Sequence, residues 1–121
     1  MTAFTPDDAT RALGEAWPKA LNSLDSFFGL CAPDCQVWHS NDDIWVSVET
    51  AIQNVHRRTA ELPDFQPRGV TYTEKGFFNE CYVEVELMGN PMKIHLIQLV
   101  DVENGKAVRV KEYVGPEMPV E

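Results

Sequence analysis

The sequence predicts an α+β domain, a curved antiparallel sheet folded round two N-terminal helices, and three observations carry that expectation. Apolar residues recur at helical spacing between Ala9 and Phe28 and again between Val48 and Leu62. From Pro67 onward the pattern changes to β-rich runs separated by turn residues. Within Ile94 to Pro116 two such runs meet at Asn104-Gly105, a dipeptide that tolerates the positive φ angles of a tight hairpin. At 121 residues and 44% hydrophobic content the chain can bury one sizeable core but not two, so residues 1–121 are expected to form a single domain with a loose tail from 116 to 121.

The first helix opens at Thr5-Pro6-Asp7-Asp8, which offers a capping hydroxyl, proline at the first helical position and two carboxylates at the positive end of the helix dipole. Leu13, Trp17, Ala20, Leu21, Leu24, Phe27 and Phe28 build its apolar face, interrupted by Pro18, and Ala32-Pro33-Asp34 is expected to turn the chain out of it. Cys35 to His39 alternates as a short strand. His39 therefore stands at a strand end beside the polar loop Ser40 to Asp43, where a side chain can reach a pocket while its backbone is held by neighbours. After the apolar stretch Ile44-Trp45-Val46, Ser47 caps a second helix with an inner stripe of Val48, Ala51, Ile52, Val55, Thr59 and Leu62, which Pro63 stops. His56, Arg57 and Arg58 form its solvated side.

Strands are expected from Pro67 to Thr73 and from Phe78 to Met88, the latter with Cys81, Val83, Val85 and Leu87 facing in and Tyr82, Glu84 and Glu86 facing out. A Gly89-Asn90-Pro91 turn leads to the hairpin. On its second strand Val108, Val110 and Val114 share the inner face, and Arg109, Lys111 and Tyr113 the other. Glu112 breaks the inner row, either as a proton carrier among valines or as a solvated group at the sheet rim. The first hairpin strand is apolar on both parities, so register rests on the loop. A two-residue loop pairs Glu103 with Lys106 and aligns His95, Ile97 and Leu99 with the inner valines; a three-residue loop with a bulge aligns Leu96, Gln98 and Val100 instead. In both registers a polar side chain, His95 or Gln98, comes close to Glu112.

Ten basic residues against 19 acidic ones give a net charge of -9, which opposes binding to polyanions, so nucleic acid is not an expected partner. There is no basic, apolar leader and no apolar run near the roughly 20 residues that span a bilayer, so no membrane association is expected and the cytoplasm is the expected location. Cys31, Cys35 and Cys81, odd in number and without metal-ligand spacing, are expected to be reduced and buried. With no dinucleotide glycine motif, and only His39, Asp42 and Asp43 to suggest a metal cluster, neither cofactor nor metal is expected.

Three stretches, Leu30-Cys31-Ala32-Pro33-Asp34-Cys35-Gln36-Val37-Trp38-His39, Ser47-Val48-Glu49-Thr50-Ala51-Ile52 and Gly105-Lys106-Ala107-Val108-Arg109-Val110-Lys111-Glu112-Tyr113, resemble in order and spacing the nuclear transport factor 2-like superfamily, in its SnoaL-like and ketosteroid isomerase-like branch. The resemblance covers nearly the whole chain. It implies a cone-shaped mixed or antiparallel sheet wrapped round N-terminal helices, the cystatin-like α+β barrel, with a deep apolar pocket for small hydrophobic molecules. It places the isomerases' strand-end base on His39, their first-helix tyrosine on Trp17 and their second oxyanion-hole acid on Ile97 or Gln98. Indole only donates, and neither isoleucine nor glutamine is an acid, so standard 3-ketosteroid isomerisation is not expected. The Asp-Arg-Asp set of the superfamily's epoxide hydrolases is not reproduced either.

The expected function is cofactor-independent acid/base chemistry of an isomerase or lyase, polyketide cyclase-like in kind: isomerisation, dehydration or aldol-type cyclisation of a small hydrophobic carbonyl or hydroxyl compound. His39 is the expected base, and Glu112 orients it or serves as the paired acid. Trp17, Trp38, Trp45, Tyr72, His95, Gln98 and Val110 are expected around the ligand. The alternatives are a protein that holds a hydrophobic ligand without converting it, and a protein-interaction or dimerisation module. A homodimer through the outer sheet face is expected, because in either register aliphatic residues of the first hairpin strand face away from the helices.

Overall fold

The computed structural model describes residues 5–58, 64–87 and 89–118. Helix α1 (Asp8–Ala20), a 3-10 turn (Leu24–Ser26) and the short helix α2 (Phe27–Leu30) lead into β1 (Cys31–His39). There follow β2 (Ile44–Ser47), α3 (Val48–Arg58), β3 (Gln66–Tyr72), β4 (Gly76–Leu87), β5 (Asn90–Glu103) and β6 (Lys106–Pro116). These strands make one curved sheet in the order β2-β1-β6-β5-β4-β3. Its neighbours run antiparallel except for β1 and β6, which are parallel, so the sheet of this α+β fold is mixed. Leu13, Trp17 and Ala20 of α1 bury against Phe77, Cys81 and Val83 of β4 and Leu96 and Val100 of β5, in one apolar cluster. No helix among the described residues is long and apolar enough to cross a membrane.

Several local expectations are corrected. The N-cap of α1 is Asp7, whose carboxylate accepts a hydrogen bond from the Thr10 amide at 2.7 Å, so Thr5 and Pro6 lie before the helix. The helix ends at Ala20. Its apolar pattern continues through the 3-10 turn and α2, which bury Leu24 and Phe27, but the change of helical pitch turns Phe28 outward to 54% exposure. Ala32-Pro33-Asp34 does not turn the chain; it lies inside β1 as a bulge. Asn90 and Pro91 belong to β5, paired with Leu87 and Glu86. Ser47 caps α3 as expected, its hydroxyl accepting from the Thr50 amide at 3.1 Å. Thr59, Leu62, Pro63, Met88 and residues 119–121 lie outside the described residues, as does the side chain of Leu87.

The hairpin combines the two alternatives. Asn104 (φ 52°) and Gly105 (φ 74°) form a two-residue loop, and Glu103 pairs with Lys106. Immediately afterwards Val102 lies opposite Ala107 but Asp101 opposite Arg109, so Val108 is an extra residue on β6. That bulge shifts parity by one, and Val100, Gln98 and Leu96 come opposite Val110, Glu112 and Val114. Val108 therefore leaves the inner row. Ala107, fully buried, takes the inner place.

Candidate functional site

Between the helices and the concave side of β1, β6 and β5 lies a cavity of about 140 Å³. Its wall is mostly apolar, with Leu21, Phe27, Ile52, Leu96 and Val110 among its lining residues, and His39, Gln98 and Glu112 supply polar groups. The parallel pairing of β1 with β6 sets Val37 beside Val110 and His39 beside Glu112. Parity then does the rest: each pair shares a face, and both pairs line the cavity. Ser40 ties the strand end down, its amide donating to the Glu112 carbonyl at 2.9 Å and its hydroxyl accepting from the Val114 amide at 2.9 Å. His39 Nε2 stands 3.3 Å from Glu112 Oε2, with the two side chains 24% and 18% exposed.

A chain of hydrogen bonds runs inward from this pair. Gln98 Nε2 donates to Glu112 Oε1 at 2.8 Å, and Gln98 Oε1 accepts from Trp17 Nε1 at 2.8 Å and from Asn79 Nδ2 at 3.2 Å. Because indole nitrogen can only donate, Trp17 dictates which way the Gln98 amide points: carbonyl inward, NH₂ toward Glu112. Oε1 of Glu112 is thus committed as an acceptor, and Oε2 is the oxygen that faces His39. Among the described residues no hydrogen bond to His39 Nδ1 is found, and the His39 side chain lines the cavity.

Asn79 was not singled out from the sequence, although it has the inward parity of Cys81 and Val83; an amide in an apolar row was the available signal. It is wholly buried, and its Oδ1 has no hydrogen-bond partner. The Cys81 thiol, on the same row, is pushed up to about 12 by burial and, secondarily, by the Glu112 charge. Among the described residues no three His, Cys, Asp or Glu side chains gather as a metal site.

Of the residues expected around a ligand, Trp17, Gln98 and Val110 line the cavity and four others do not. Trp38 and Trp45 pair across β1 and β2 with the parity opposite to His39, which puts them on the outer face. There Trp38 Nε1 donates to Asp43 Oδ1 at 2.8 Å, its ring meets Tyr113 edge-on, and Arg109 lies over the Trp45 ring. Tyr72 packs on α1 instead. Its hydroxyl donates to the Arg11 carbonyl at 3.2 Å, in space left by Gly14, where a Cβ would come within 2.6 Å of that hydroxyl. Burial there raises the Tyr72 pKa, and the charge of Glu15 adds to the effect. His95 has the parity opposite to Gln98; its side chain is 53% exposed and its Nε2 lies 3.0 Å from Glu117 Oε2. Ile97 faces outward with it, so of the two positions that the resemblance left open for the isomerases' second acid, Gln98 is the one at the cavity.

No protein-family model matches the chain, and no curated protein sequence matches it. Solved structures do. An NTF-2-like protein of unknown function from Burkholderia xenovorans LB400 is 15% identical with a TM-score of 0.69 over 94% of this chain and 88% of that one. A candidate SnoaL-like polyketide cyclase from Jannaschia sp. CCS1 is 10% identical with a TM-score of 0.75 over 94% and 91%. A hypothetical protein with a ketosteroid isomerase-like fold from Catenulispora acidiphila DSM 44928, solved with trimethylamine, is 16% identical with a TM-score of 0.63 over 90% and 86%. At these identities the likeness is one of fold. The chain has the nuclear transport factor 2-like fold, the one shared by the SnoaL-like and ketosteroid isomerase-like proteins.

Proposed function

We propose that the chain carries out proton-transfer chemistry (isomerisation, dehydration or aldol-type cyclisation) on a small apolar molecule bearing a carbonyl or hydroxyl group. The observation that carries this reading is the 3.3 Å approach of His39 Nε2 to Glu112 Oε2 on the wall of an apolar cavity. Glu112 holds the Nε2 proton, Nδ1 takes a proton from the substrate, and the carboxylate stabilises the imidazolium that results. The cavity is close in size to the roughly 150 Å³ apolar void that accommodates one benzene. A single-ring substrate fits inside it. The indole N–H on the wall is already given to Gln98, so it does not bind a developing oxyanion. The reading therefore favours a substrate that stabilises its own enolate, such as a cyclic β-dicarbonyl.

The test is hydrogen–deuterium exchange at the acidic carbon of small cyclic β-dicarbonyls and ketones, followed by NMR in D₂O. Wild-type protein accelerates exchange, and His39→Ala loses about 10²–10⁴-fold of that acceleration, the usual worth of a positioned base. Glu112→Gln loses less. Equal exchange rates in wild type and both variants would remove the assignment. A second reading, a protein that holds its ligand unchanged, is favoured by the way Trp17, Gln98, Asn79 and Glu112 spend their polar groups on one another. Native mass spectrometry separates the two: a co-purifying ligand that survives long incubation supports binding alone.

A further inference from the structure

Strand β1 carries surplus chain just before the site. Cys31 lies opposite Ala107 and Gln36 opposite Arg109, so five steps of β1 run beside two steps of β6. The surplus is Ala32, Pro33 and Asp34, with Pro33 and Asp34 exposed, whereas Cys31 and Cys35 on either side turn inward and are buried. Two strand steps cover about 6.6 Å, so the arch holds Cys31 and Gln36 about that far apart. Cys35 precedes Gln36 and shares the buried side with Cys31, and the span of the arch is of the same order as the about 4.4–6.8 Å between Cα atoms that a disulfide joins. Both are free thiols, and the Cys35 thiol donates to the Gln36 carbonyl at 3.9 Å. Cys31 lines the cavity. The third thiol, Cys81, sits on β4, separated from β1 by β6 and β5.

We propose that Cys31 and Cys35 are a redox-active thiol pair, converted to an intramolecular disulfide by a hydroperoxide small enough to enter the cavity and restored by small thiols. In the first step the Cys31 sulfur attacks the peroxide, the O–O bond breaks, and Cys31 becomes a sulfenic acid as the departing oxygen takes up the thiol proton and leaves as water, or as the alcohol of an organic hydroperoxide. In the second the Cys35 sulfur, losing its proton, attacks the Cys31 sulfur and expels hydroxide, which takes up that proton as water. Two thiols are oxidised by two electrons and one peroxide is reduced. The Cys31 thiol is held above its ordinary range by the Cys35 thiol and by burial, which disfavours the thiolate that attacks the peroxide, so the first step is slow. Closure takes the Cys31 thiol out of the cavity wall and pins the Ala32 to Asp34 arch.

The experiment uses the full wild-type chain, reduced, titrated with hydrogen peroxide, and alkylated under denaturing conditions before intact-mass and peptide analysis. Reduced protein alkylates at all three cysteines; oxidised protein is expected to lose two hydrogens, alkylate at Cys81 alone, and regain all three sites with dithiothreitol. Met118, 74% exposed, serves as an internal gauge of peroxide dose through its sulfoxide. Three results overturn the proposal: Cys31 and Cys35 still alkylated after Met118 is fully oxidised, disulfide-linked chains in place of the internal bridge, or sulfinic acid at Cys31 with Cys35 still free. In a Cys35→Ser variant the sulfenic acid at Cys31 persists and is trapped by dimedone; should that variant fail to fold, the wild-type mapping alone decides.

Discussion

Gln98 is the hub of the site's hydrogen bonds, and replacing it with leucine tests whether that network exists as described. Leucine is close in size but strands the Trp17 indole N–H and the Asn79 amide, both on fully buried residues, and removes the donor to Glu112 Oε1. A buried donor left without a partner costs about 1–3 kcal/mol, so two cost about 4 kcal/mol at mid-range. Burying the extra apolar surface of leucine offsets about 1–2 kcal/mol of that, for a net loss of about 2–3 kcal/mol. For a domain of this size that is a fall in Tm of about 10 °C. Asn79→Leu is the matched control. It deletes one hydrogen bond but also deletes the unpartnered Oδ1, and is expected to stay within about 1 kcal/mol of wild type. Urea unfolding monitored by tryptophan fluorescence and far-UV circular dichroism reads both. Gln98→Leu as stable as wild type, or Asn79→Leu the more damaging of the two, would refute the network as the organiser of the site.

Three other outcomes are expected. Gly76→Ala sets a Cβ 2.0 Å from the Val100 carbonyl oxygen, a backbone atom that cannot swing away, so a loss of more than about 2 kcal/mol is expected in the same urea assay. Asp7 has its pKa lowered from 3.8 by hydrogen bonds to the Thr10 backbone and side chain, so its contribution is present above pH 3.8 and lost as pH falls through the folded value. The urea midpoints of wild type and Asp7→Asn are therefore expected to differ by an amount that changes between pH 7 and pH 3 and is constant above pH 5. We also propose that the outer face, where Ile97 lies half-exposed between Glu80 and Tyr113 and Leu99 between Phe78 and Lys111, pairs two chains. Sedimentation at micromolar concentration is expected to give twice the 13.7 kDa chain mass, and a 13.7 kDa species unaffected by dilution or salt excludes the pairing.

The local elements were legible because their causes are local. Ser47 caps its helix with its own hydroxyl, Asn104-Gly105 accepts positive φ at both positions, and Cys81 and Val83 alternate with Tyr82 and Glu84 over a distance of two residues. The same reasoning brought forward His39 and Glu112, one at a strand end and one as a carboxylate in an apolar row. It could not bring out which faces those strands share, because periodicity orders the residues of one strand without saying which strand lies next to it. The sheet order, with β1 parallel to β6, is what sets His39 against Glu112. Trp38, Trp45 and Tyr72 show the limit most plainly: an aromatic ring favours leaving water, and that preference is met equally on the outer face, against α1 or in the cavity.

Two bulges made the remaining decisions. The extra residue at Val108 turns Gln98 inward and His95 outward, and the surplus at Ala32 to Asp34 brings two cysteines together. Single residues shift parity at little local cost, so the sequence by itself determined the α+β class, the hairpin and the polar candidates. The choice among registers fell to the tertiary structure, where one slip would have exchanged a whole row of Leu96, Gln98 and Val100 for His95, Ile97 and Leu99 beneath the same helices.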